Sequence, residues 1–374
     1  MGKLDRLIEE FCPDGVKYVK LGEVCSVFKG QQLNRSLLTE EGKYPAYNGG
    51  ITYSGFTDKY NVEANTTIIS QGGASAGFVN FVTEKFWANA HCYYCEPNEQ
   101  VIMNRYMFHF LKESQRILMD FKHGAGIPAL RVKKITKLRV PLPPLPVQEE
   151  IVRILDNFTE LTAELTAELT AREKQYEYYR DELLTFGDEV EWKKLGDLAE
   201  NLDSMRKPIA SGLRDIGDIP YYGASGIIDY VKDYIFEGDF LLISEDGANL
   251  VARNTPIAFS VSGKIWVNNH AHVLKFNNYE ERRFVEFYLN NLDLTPYITG
   301  AAQPKLNQKN LNSIMIPNPL YKEKKRIVSI LDKFDALVND ISIGLPAEIE
   351  ARQKQYEYYR EKLLTFEELD RKEA

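Results

Sequence analysis

An internal duplication is the feature of this sequence that most limits how the chain can fold. Residues 174–186 read KQYEYYRDELLTF and residues 354–366 read KQYEYYREKLLTF, which is identity at eleven of thirteen positions. A second match lies upstream of each copy, where PLPPL leads into IVRILD at residue 151 and PNPL leads into IVSILD at residue 327. Repeats of this kind indicate two structurally equivalent halves in one chain.

The parts of the chain between these segments repeat more faintly. LGE at residue 21 corresponds to LGD at 195, ISQGGA at 69 to ISEDGA at 243, WANAH at 87 to WVNNH at 266, and GAGIP at 124 to GAAQP at 300. The helical segments are therefore similar, whereas the intervening parts have diverged. We expect one repeated scaffold that presents two different globular domains.

The repeat predicts an α+β fold with an internal pseudo-twofold repeat, in which two β-rich mixed domains are separated by two long antiparallel coiled-coil helices. The expected segments are a helical lead-in, a first domain, a central spacer helix, a second domain and a C-terminal spacer helix, at residues 1–19, 20–146, 147–186, 187–318 and 319–374. Gly344-Leu345-Pro346 is expected to break the last helix near 344–346, because proline lacks an amide donor and clashes with the preceding turn.

Apolar and aromatic residues recur at spacings of three and four along both helical regions, which is typical of a coiled-coil seam. An intramolecular antiparallel pair is expected because the repeat supplies a built-in partner, and the alternative is a coiled coil between two chains. A tandem Thr-Ala-Glu-Leu repeat covers residues 162–169. The seam residues are Leu161, Leu165, Leu169, Tyr176, Tyr179, Leu337, Tyr356 and Tyr359.

Short runs of β-branched and aromatic residues between Gly and Asn turns predict strands in both globular domains, for example at residues 66–70, 78–83 and 239–244. Each domain has a loop of small and polar residues after such a strand, and a later loop of small residues followed by cations. Backbone donors with Lys and Arg suit phosphate oxygens, and Gln, Asn and Arg suit base edges. The alternative for these loops is an ordinary solvated turn. The candidate DNA-contacting residues are Gln71, Gly72, Gly73, Arg131, Lys133, Lys134, Asp246, Asn249, Gln303, Lys305, Asn307 and Lys309.

Charge is distributed unevenly along the chain, whose net charge is −8. Residues 20–146 carry 15 Lys and Arg against 10 Asp and Glu, a net +5, as phosphate binding requires. Residues 147–186 carry 4 against 10, a net −6, and residues 187–318 carry 13 against 18, a net −5. The acidic second domain counts against DNA binding unless its cations are concentrated on one face.

Cys92 and Cys95 form a single CxxC, preceded by His91, in a run rich in strand-forming aromatic residues. A structural zinc site usually needs two such pairs. The interpretation that we favour is therefore buried thiols in a strand, with metal binding as the alternative.

No apolar run is long enough to span a membrane, and charges at the N-terminus exclude a signal peptide, so a cytoplasmic protein is expected. Three enzymatic signatures are missing: the Asn/Asp-Pro-Pro-Tyr/Phe motif of amino-methyltransferases, a glycine-rich cofactor turn and a P-loop. Glu245-Asp246 is one weak acidic pair without the lysine of a nuclease frame. We therefore expect a non-catalytic chain that holds no cofactor of its own.

This layout resembles the specificity subunits of Type I restriction-modification systems over essentially the whole chain. The resemblance rests on residues 141–156, 174–186 and 354–366 and on the duplication. It implies two target-recognition domains that each read one half of a split asymmetric site in double-stranded DNA. It also implies docking of methyltransferase subunits, two in number, which bring S-adenosylmethionine, and of an endonuclease-translocase subunit. The Thr-Ala-Glu-Leu repeat resembles a length-varying spacer of the family.

Two other classes of protein fit parts of the pattern. A free-standing DNA-binding regulator would bind DNA with no methyltransferase partner. A coiled-coil adaptor would bind only proteins, so whether the globular domains bind DNA at all separates it from both other readings.

Overall fold

The computed structural model describes residues 2–121, 129–300 and 303–369, which form two compact units. Unit one comprises residues 2–166 and 348–369, and unit two comprises residues 167–347. Each unit contains one globular domain and a part of both helical regions. Residues 124–128, the start of the late loop in the first domain, lie outside the described residues.

The helices, in chain order, are α1 (Lys3–Phe11), α2 (Leu21–Val24), α3 (Asn104–Glu113), α4 (Gln115–Asp120), α5 (Val132–Thr136), α6 (Leu145–Leu183), α7 (Leu195–Leu198), α8 (Asn249–Ala252), α9 (Tyr279–Asn291), α10 (Gln308–Ser313), α11 (Tyr321–Val338) and α12 (Leu345–Leu363). The strands are β1 (Lys17–Lys20), β2 (Cys25–Lys29), β3 (Tyr44–Tyr47), β4 (Phe56–Thr57), β5 (Thr66–Ser70), β6 (Val79–Val82), β7 (Trp87–Ala88), β8 (Cys92–Pro97), β9 (Arg139–Leu142), β10 (Trp192–Lys194), β11 (Glu200–Asn201), β12 (Ile216–Gly223), β13 (Gly226–Val231), β14 (Phe236–Ser244), β15 (Ala258–Val267), β16 (Ala271–Lys275) and β17 (Met315–Pro317).

Unit one contains a four-stranded antiparallel sheet in the order β2-β8-β5-β6, together with a three-stranded sheet β4-β3-β7 and the pair β1-β9. Every residue of β5 is buried, which explains its continuous run of β-branched side chains. Helix α3 covers the sheet and buries Tyr106, Met107 and Leu111 completely. The strands expected at residues 66–70 and 78–83 are confirmed as β5 and β6.

Unit two contains a six-stranded sheet in the order β11-β16-β14-β15-β12-β13, and the antiparallel pair β10-β17. The long hairpin β14-β15 pairs Phe236 with Ile265 at one end and Ile243 with Ala258 at the other. Helix α9 packs on β15, with Phe284 and Leu289 fully buried. The strand expected at residues 239–244 is confirmed within β14.

The helical segments of unit two run in opposite directions. Glu173 and Tyr176 of α6 line the same cavity as Val338 and Asn339 of α11. Further along α6, Leu183 lines a cavity with Arg326, near the start of α11. Tyr176 and Tyr179 both stack on Phe334, with ring centroids 6.1 and 5.7 Å apart. The antiparallel direction expected from the repeat is therefore present in this unit.

In unit one, the first part of α6 packs against α12 and α3. Phe158 stacks on Tyr359 with ring centroids 5.3 Å apart. His109 is fully buried, with Nε2 2.8 Å from Asp156 Oδ1 and Nδ1 3.0 Å from the Tyr356 hydroxyl. Burial lowers the pKa of His109, although its hydrogen bond to Asp156 opposes that change. Leu161, Leu165, Leu169 and Leu337 are half-buried in their respective units.

The same ion pair joins globular domain and helix in both units. Arg105 on α3 donates to Asp156 on α6. Arg283 on α9 donates to Asp332 on α11, at 2.9 Å, and also to Glu286 and Asp335. Asp156 and Asp332 are equivalent positions of the repeat, so each globular domain is held to its helix by the same contact.

The break in the second helical region lies at residues 339–344, between α11 and α12, and the helix resumes at Leu345. Pro346 therefore does not end a helix; it occupies the first turn of α12. That position has no intrahelical amide bond to lose, and the fixed φ of proline suits a helix start. The central helix begins at Leu145 and ends at Leu183, whereas the sequence pattern placed it at 147–186.

The four cysteines are free thiols and buried, and Cys92 and Cys95 lie on β8 as the strand pattern predicts. Burial raises the pKa of Cys92 to about 12. In the described ranges, no group of His, Cys, Asp and Glu is arranged to hold a metal ion. None of the helices within those ranges is long and apolar enough to cross a membrane.

Candidate DNA interface

In unit one, three loops that are far apart in sequence meet at one end of the sheet. Gln71, which follows β5, accepts a hydrogen bond from the Leu130 amide at 2.7 Å, and Gly72 and Ala129 form a β-bridge. The Gln71 amide donates to the His91 carbonyl oxygen at 2.8 Å. We call residues 71–77, 88–91 and 129–134 the loop junction of unit one.

The same contacts recur in unit two between equivalent residues. Glu245 accepts a hydrogen bond from the Leu306 amide at 2.7 Å and donates its own amide to the His270 carbonyl oxygen at 2.9 Å. Asp246 and Lys305 form the β-bridge. Residues 245–249, 268–270 and 303–309 are therefore the loop junction of unit two. The structure brings together, in each unit, the two loops that the sequence pattern singled out.

In each unit, a buried side chain forms a hydrogen bond with the backbone of the loop junction. This side chain belongs to the residue two positions after the histidine of the Trp-x-Asn-x-His pattern. The Tyr93 hydroxyl donates to the Leu130 carbonyl oxygen at 3.0 Å. In unit two, His272 Nε2 lies 2.7 Å from the Leu306 carbonyl oxygen. Neither residue stands out from the local sequence pattern, although their matching offset within the repeat indicates that they are equivalent.

The loop junction of unit one presents cations. Arg131 and Lys133 are exposed, and Arg131 directly precedes α5. The Lys134 ammonium lies over the Phe121 ring, 4.7 Å from its centroid. Gly73 has φ +77° and open space around its Cα, so an incoming ligand can approach its backbone closely.

The loop junction of unit two is a charge network. Glu245 accepts from Arg206 at 2.6 Å and lies 3.1 Å from the Lys305 ammonium. Burial opposes ionisation of Glu245, but its hydrogen bonds to Arg206 and Lys305 outweigh it and lower its pKa. Asp203 behaves alike: burial opposes ionisation, and hydrogen bonds, first that of His272, lower its pKa. Part of the negative charge of this domain is therefore internal and compensated.

Several predicted residues of unit two use their side chains to shape the loops. Asp246 lies 2.8 Å from His270 Nδ1. Asn249 bonds the backbone of Thr255, and Asn307 accepts from the Asn310 amide as the N-cap of α10. Gln303 and Lys309 are exposed.

The duplicated fold, with two similar loop junctions that carry different side chains, defines a two-domain recognition protein. The family described as the Type I restriction modification DNA specificity domain matches residues 13–172 and again residues 187–351, and the chain belongs to this family.

Individual proteins resemble the chain to different extents. A type I restriction enzyme specificity subunit of Haemophilus influenzae is 43% identical over 194 residues, which is 51% of this chain and 50% of that protein. The match thus spans about half of that relative's length. The EcoR124I/EcoR124II specificity subunit of Escherichia coli is 33% identical over 306 residues, 73% of this chain and 72% of that protein. A crystal structure of the S subunit from M. genitalium has the same fold, with a TM-score of 0.68 at 21% identity, covering 94% of this chain and 96% of that one.

Proposed function

We propose that this chain is the DNA-reading subunit of a Type I restriction-modification complex, with each domain reading one half of a bipartite asymmetric target in double-stranded DNA. The observation that carries the proposal is the pair of loop junctions. Their backbone contacts are the same, whereas their exposed side chains differ. A constant frame with variable residues suits two readers of different sequences.

The helical repeat supports docking of two copies of one methyltransferase subunit. Tyr178 and Tyr358 occupy equivalent positions and are 64% and 59% exposed. Internal packing does not require large exposed aromatic side chains, and so does not explain why both copies carry one. A partner that binds each copy in the same way does. By this proposal the partner brings S-adenosylmethionine and the adenine chemistry, an endonuclease-translocase subunit joins the complex, and the assembly works in the cytoplasm.

Docking is tested by measuring the mass of the complex formed with the methyltransferase subunit. Tyr178→Ser and Tyr358→Ser singly are expected to leave one methyltransferase bound, and the double variant none. Tyr230→Ser, which removes a tyrosine that is 51% exposed from β13 in the second domain, is the matched control and should retain two. Two bound copies in the double variant would refute the helix face as the docking site.

The reading of DNA is tested by selecting bound duplexes from a random library with the assembled complex. Two short conserved blocks separated by an unread spacer are the expected result. A free-standing regulator predicts the same selection by the isolated chain, with no change when the methyltransferase is added. Selection of no sequence at all would leave only a protein adaptor.

A further inference from the structure

The tryptophan of the Trp-x-Asn pattern, which the loop junctions do not explain, holds another loop in each unit, and in unit one the asparagine also contributes. In unit one the indole Nε1 of Trp87 donates to the Gln31 carbonyl oxygen at 3.0 Å, and the Gln31 amide donates to the Ala88 carbonyl oxygen at 2.9 Å. Asn89 accepts from the Leu33 amide and donates to the Leu33 carbonyl oxygen, both at 3.1 Å. The backbone from Gln31 to Leu33 is therefore held by four hydrogen bonds.

Glycine 30 makes this close approach possible. The Gly30 amide donates to the Cys92 carbonyl oxygen at 2.9 Å. A Cβ atom at this position would collide with the backbone oxygens of Ala88 and Asn89. Any side chain there would push residues 31–35 away from the strand end.

The two bonds at the tryptophan recur in the corresponding segment of unit two, whereas the Asn268 side chain instead accepts from the His270 amide at 2.8 Å. Trp266 Nε1 donates to the Lys207 carbonyl oxygen at 2.6 Å, and the Lys207 amide donates to the Val267 carbonyl oxygen at 3.3 Å. Lys207 is thus the structural equivalent of Gln31. These two bonds are shared, but the residues that follow are Gln-Leu-Asn-Arg in unit one and Pro-Ile-Ala-Ser in unit two.

Side chains of the fastened segment in unit one point into solvent. Four of its side chains are exposed, those of Gln31, Gln32, Asn34 and Arg35. The backbone from Gln31 to Leu33 is nevertheless held by the four hydrogen bonds described above. A solvated turn does not need such an anchor, because exposed polar residues tolerate movement. A rigid backbone with exposed amide and guanidinium groups suits recognition of a fixed pattern of donors and acceptors.

The fastened segment is continuous with the loop junction. Asn89 contacts it through its side chain, while its own amide donates to the Tyr47 carbonyl oxygen at 2.8 Å. Two residues later, His91 accepts from the Gln71 amide. Residues 88–91 therefore connect the segment to the loop after β5, with Asn89 buried between the two loops.

We propose that residues 31–35 form a base-reading loop of the first recognition domain, with Gln31, Gln32, Asn34 and Arg35 as its specificity residues and Trp87 and Asn89 as positioning residues. The inference rests on the proposed DNA recognition and names the groups that perform it. Glutamine and asparagine amides pair with the two groups that adenine presents in the major groove, and arginine pairs with those of guanine. Residues 207–211 are the equivalent loop of the second domain.

The test uses the complete chain assembled with its methyltransferase partner and duplexes that carry the selected target with each base pair varied singly. Alanine in place of Gln31, Gln32, Asn34 or Arg35 is expected to lower discrimination at one position of one half-site roughly tenfold. The other half-site should be unchanged. Gln100→Ala, an exposed glutamine beyond the opposite end of β8, is the matched control and should change neither.

The positioning role has its own readout. Trp87→Phe keeps an aromatic ring but removes the indole donor. It is expected to relax the same base positions as the loop variants, with an unchanged melting temperature. Relaxation at other positions, or a lower melting temperature with unchanged base preference, would show that Trp87 only stabilises the fold.

Failure of the inference and failure of the proposed function give different results. Wild-type complex that selects two half-sites, with all four loop variants retaining full discrimination, would overturn the base-reading loop alone. Wild-type complex that selects no sequence would overturn DNA recognition itself.

Discussion

Arg131 and Lys305 occupy matching late loops, so the sequence predicts equal contributions to DNA binding, but the structure separates them. The Lys305 ammonium lies 3.1 Å from Glu245 and already neutralises a carboxylate. Arg131 is exposed, and within the described residues no carboxylate pairs with it. We therefore expect Arg131→Ala to weaken DNA binding more than Lys305→Ala.

The magnitude follows from counterion release. Each phosphate neutralised by a cation contributes about 0.9 to the slope of log affinity against log salt. Loss of one such contact, with affinity at 1 M salt unchanged, lowers affinity about eightfold at 0.1 M salt. Arg131→Ala should show this full effect equally on all sequences. For Lys305→Ala we expect less than about half of the slope change, because its charge is shared with Glu245.

Fluorescence anisotropy of the assembled complex on target and unrelated duplexes, between about 50 and 200 mM salt, measures both slopes. Lys17→Ala is the control, since Lys17 is an exposed cation at the start of β1 and outside the loop junction. An unchanged slope in Arg131→Ala would mean that the late loop does not touch phosphate. A full effect in Lys305→Ala would mean that the Glu245 pair opens on binding.

Other parts of the molecule give further expectations. Titration calorimetry of the isolated chain with S-adenosylmethionine should show no binding, and stoichiometric micromolar binding would reveal an unnoticed site. Hydrogen bonds from Arg153 and Lys3 lower the pKa of Glu150 from 4.5 to about 2, although burial opposes this change. Because both partners are exposed to solvent, these ion pairs contribute only about 1 kcal/mol to the free energy of unfolding. This contribution is present above about pH 4.5 and is lost toward pH 2. Glu150→Gln should therefore lower the melting temperature at pH 7 but not near pH 2. An equal loss at both pH values would exclude the ion pairs as its source. Inserting Thr-Ala-Glu-Leu after Leu169 adds about 6 Å and a net rotation of about 40° to α6. Methylome sequencing should then show that the unread DNA between the two half-sites is longer by one base pair. An active enzyme that keeps its original spacing would refute this expectation. Exchanging residues 20–140 for another subunit's domain should change one half-site only, whereas a change in both would show that the readers are coupled.

Local patterns in the sequence predict the elements of the fold well. The duplication fixes two equivalent halves, and the spacing of three and four predicts helices over most of α6, α11 and α12. The β-branched runs predict β5, β6 and β14. The helix break was expected near residues 344–346 and lies at 339–344, because proline is also a favourable helix start and the local sequence does not distinguish the two roles.

The candidate site was only partly predictable. Loops with glycine and cations could be identified as ligand-binding candidates, and Arg131 and Lys133 are indeed exposed. The side chains of Asn249 and Asn307 instead bond the backbone of Thr255 and Asn310, which could not be foreseen because asparagine serves both turns and base edges. The segment at residues 31–35 carries no glycine-rich or basic pattern and was missed.

The sequence by itself thus determined the repeat, which appears when its two halves are compared. It also determined the long helices and several strands, because each of these depends on residues within a few positions of one another. Only the tertiary structure decided which loops meet. The bond between Gln71 and Leu130 and the bond between Trp87 and Gln31 each join residues more than fifty positions apart. Two of the groups in these bonds are backbone carbonyl oxygens, which every residue possesses, so no residue type marks the partner. The position of these contacts is set by strand register and packing, and those are properties of the folded chain.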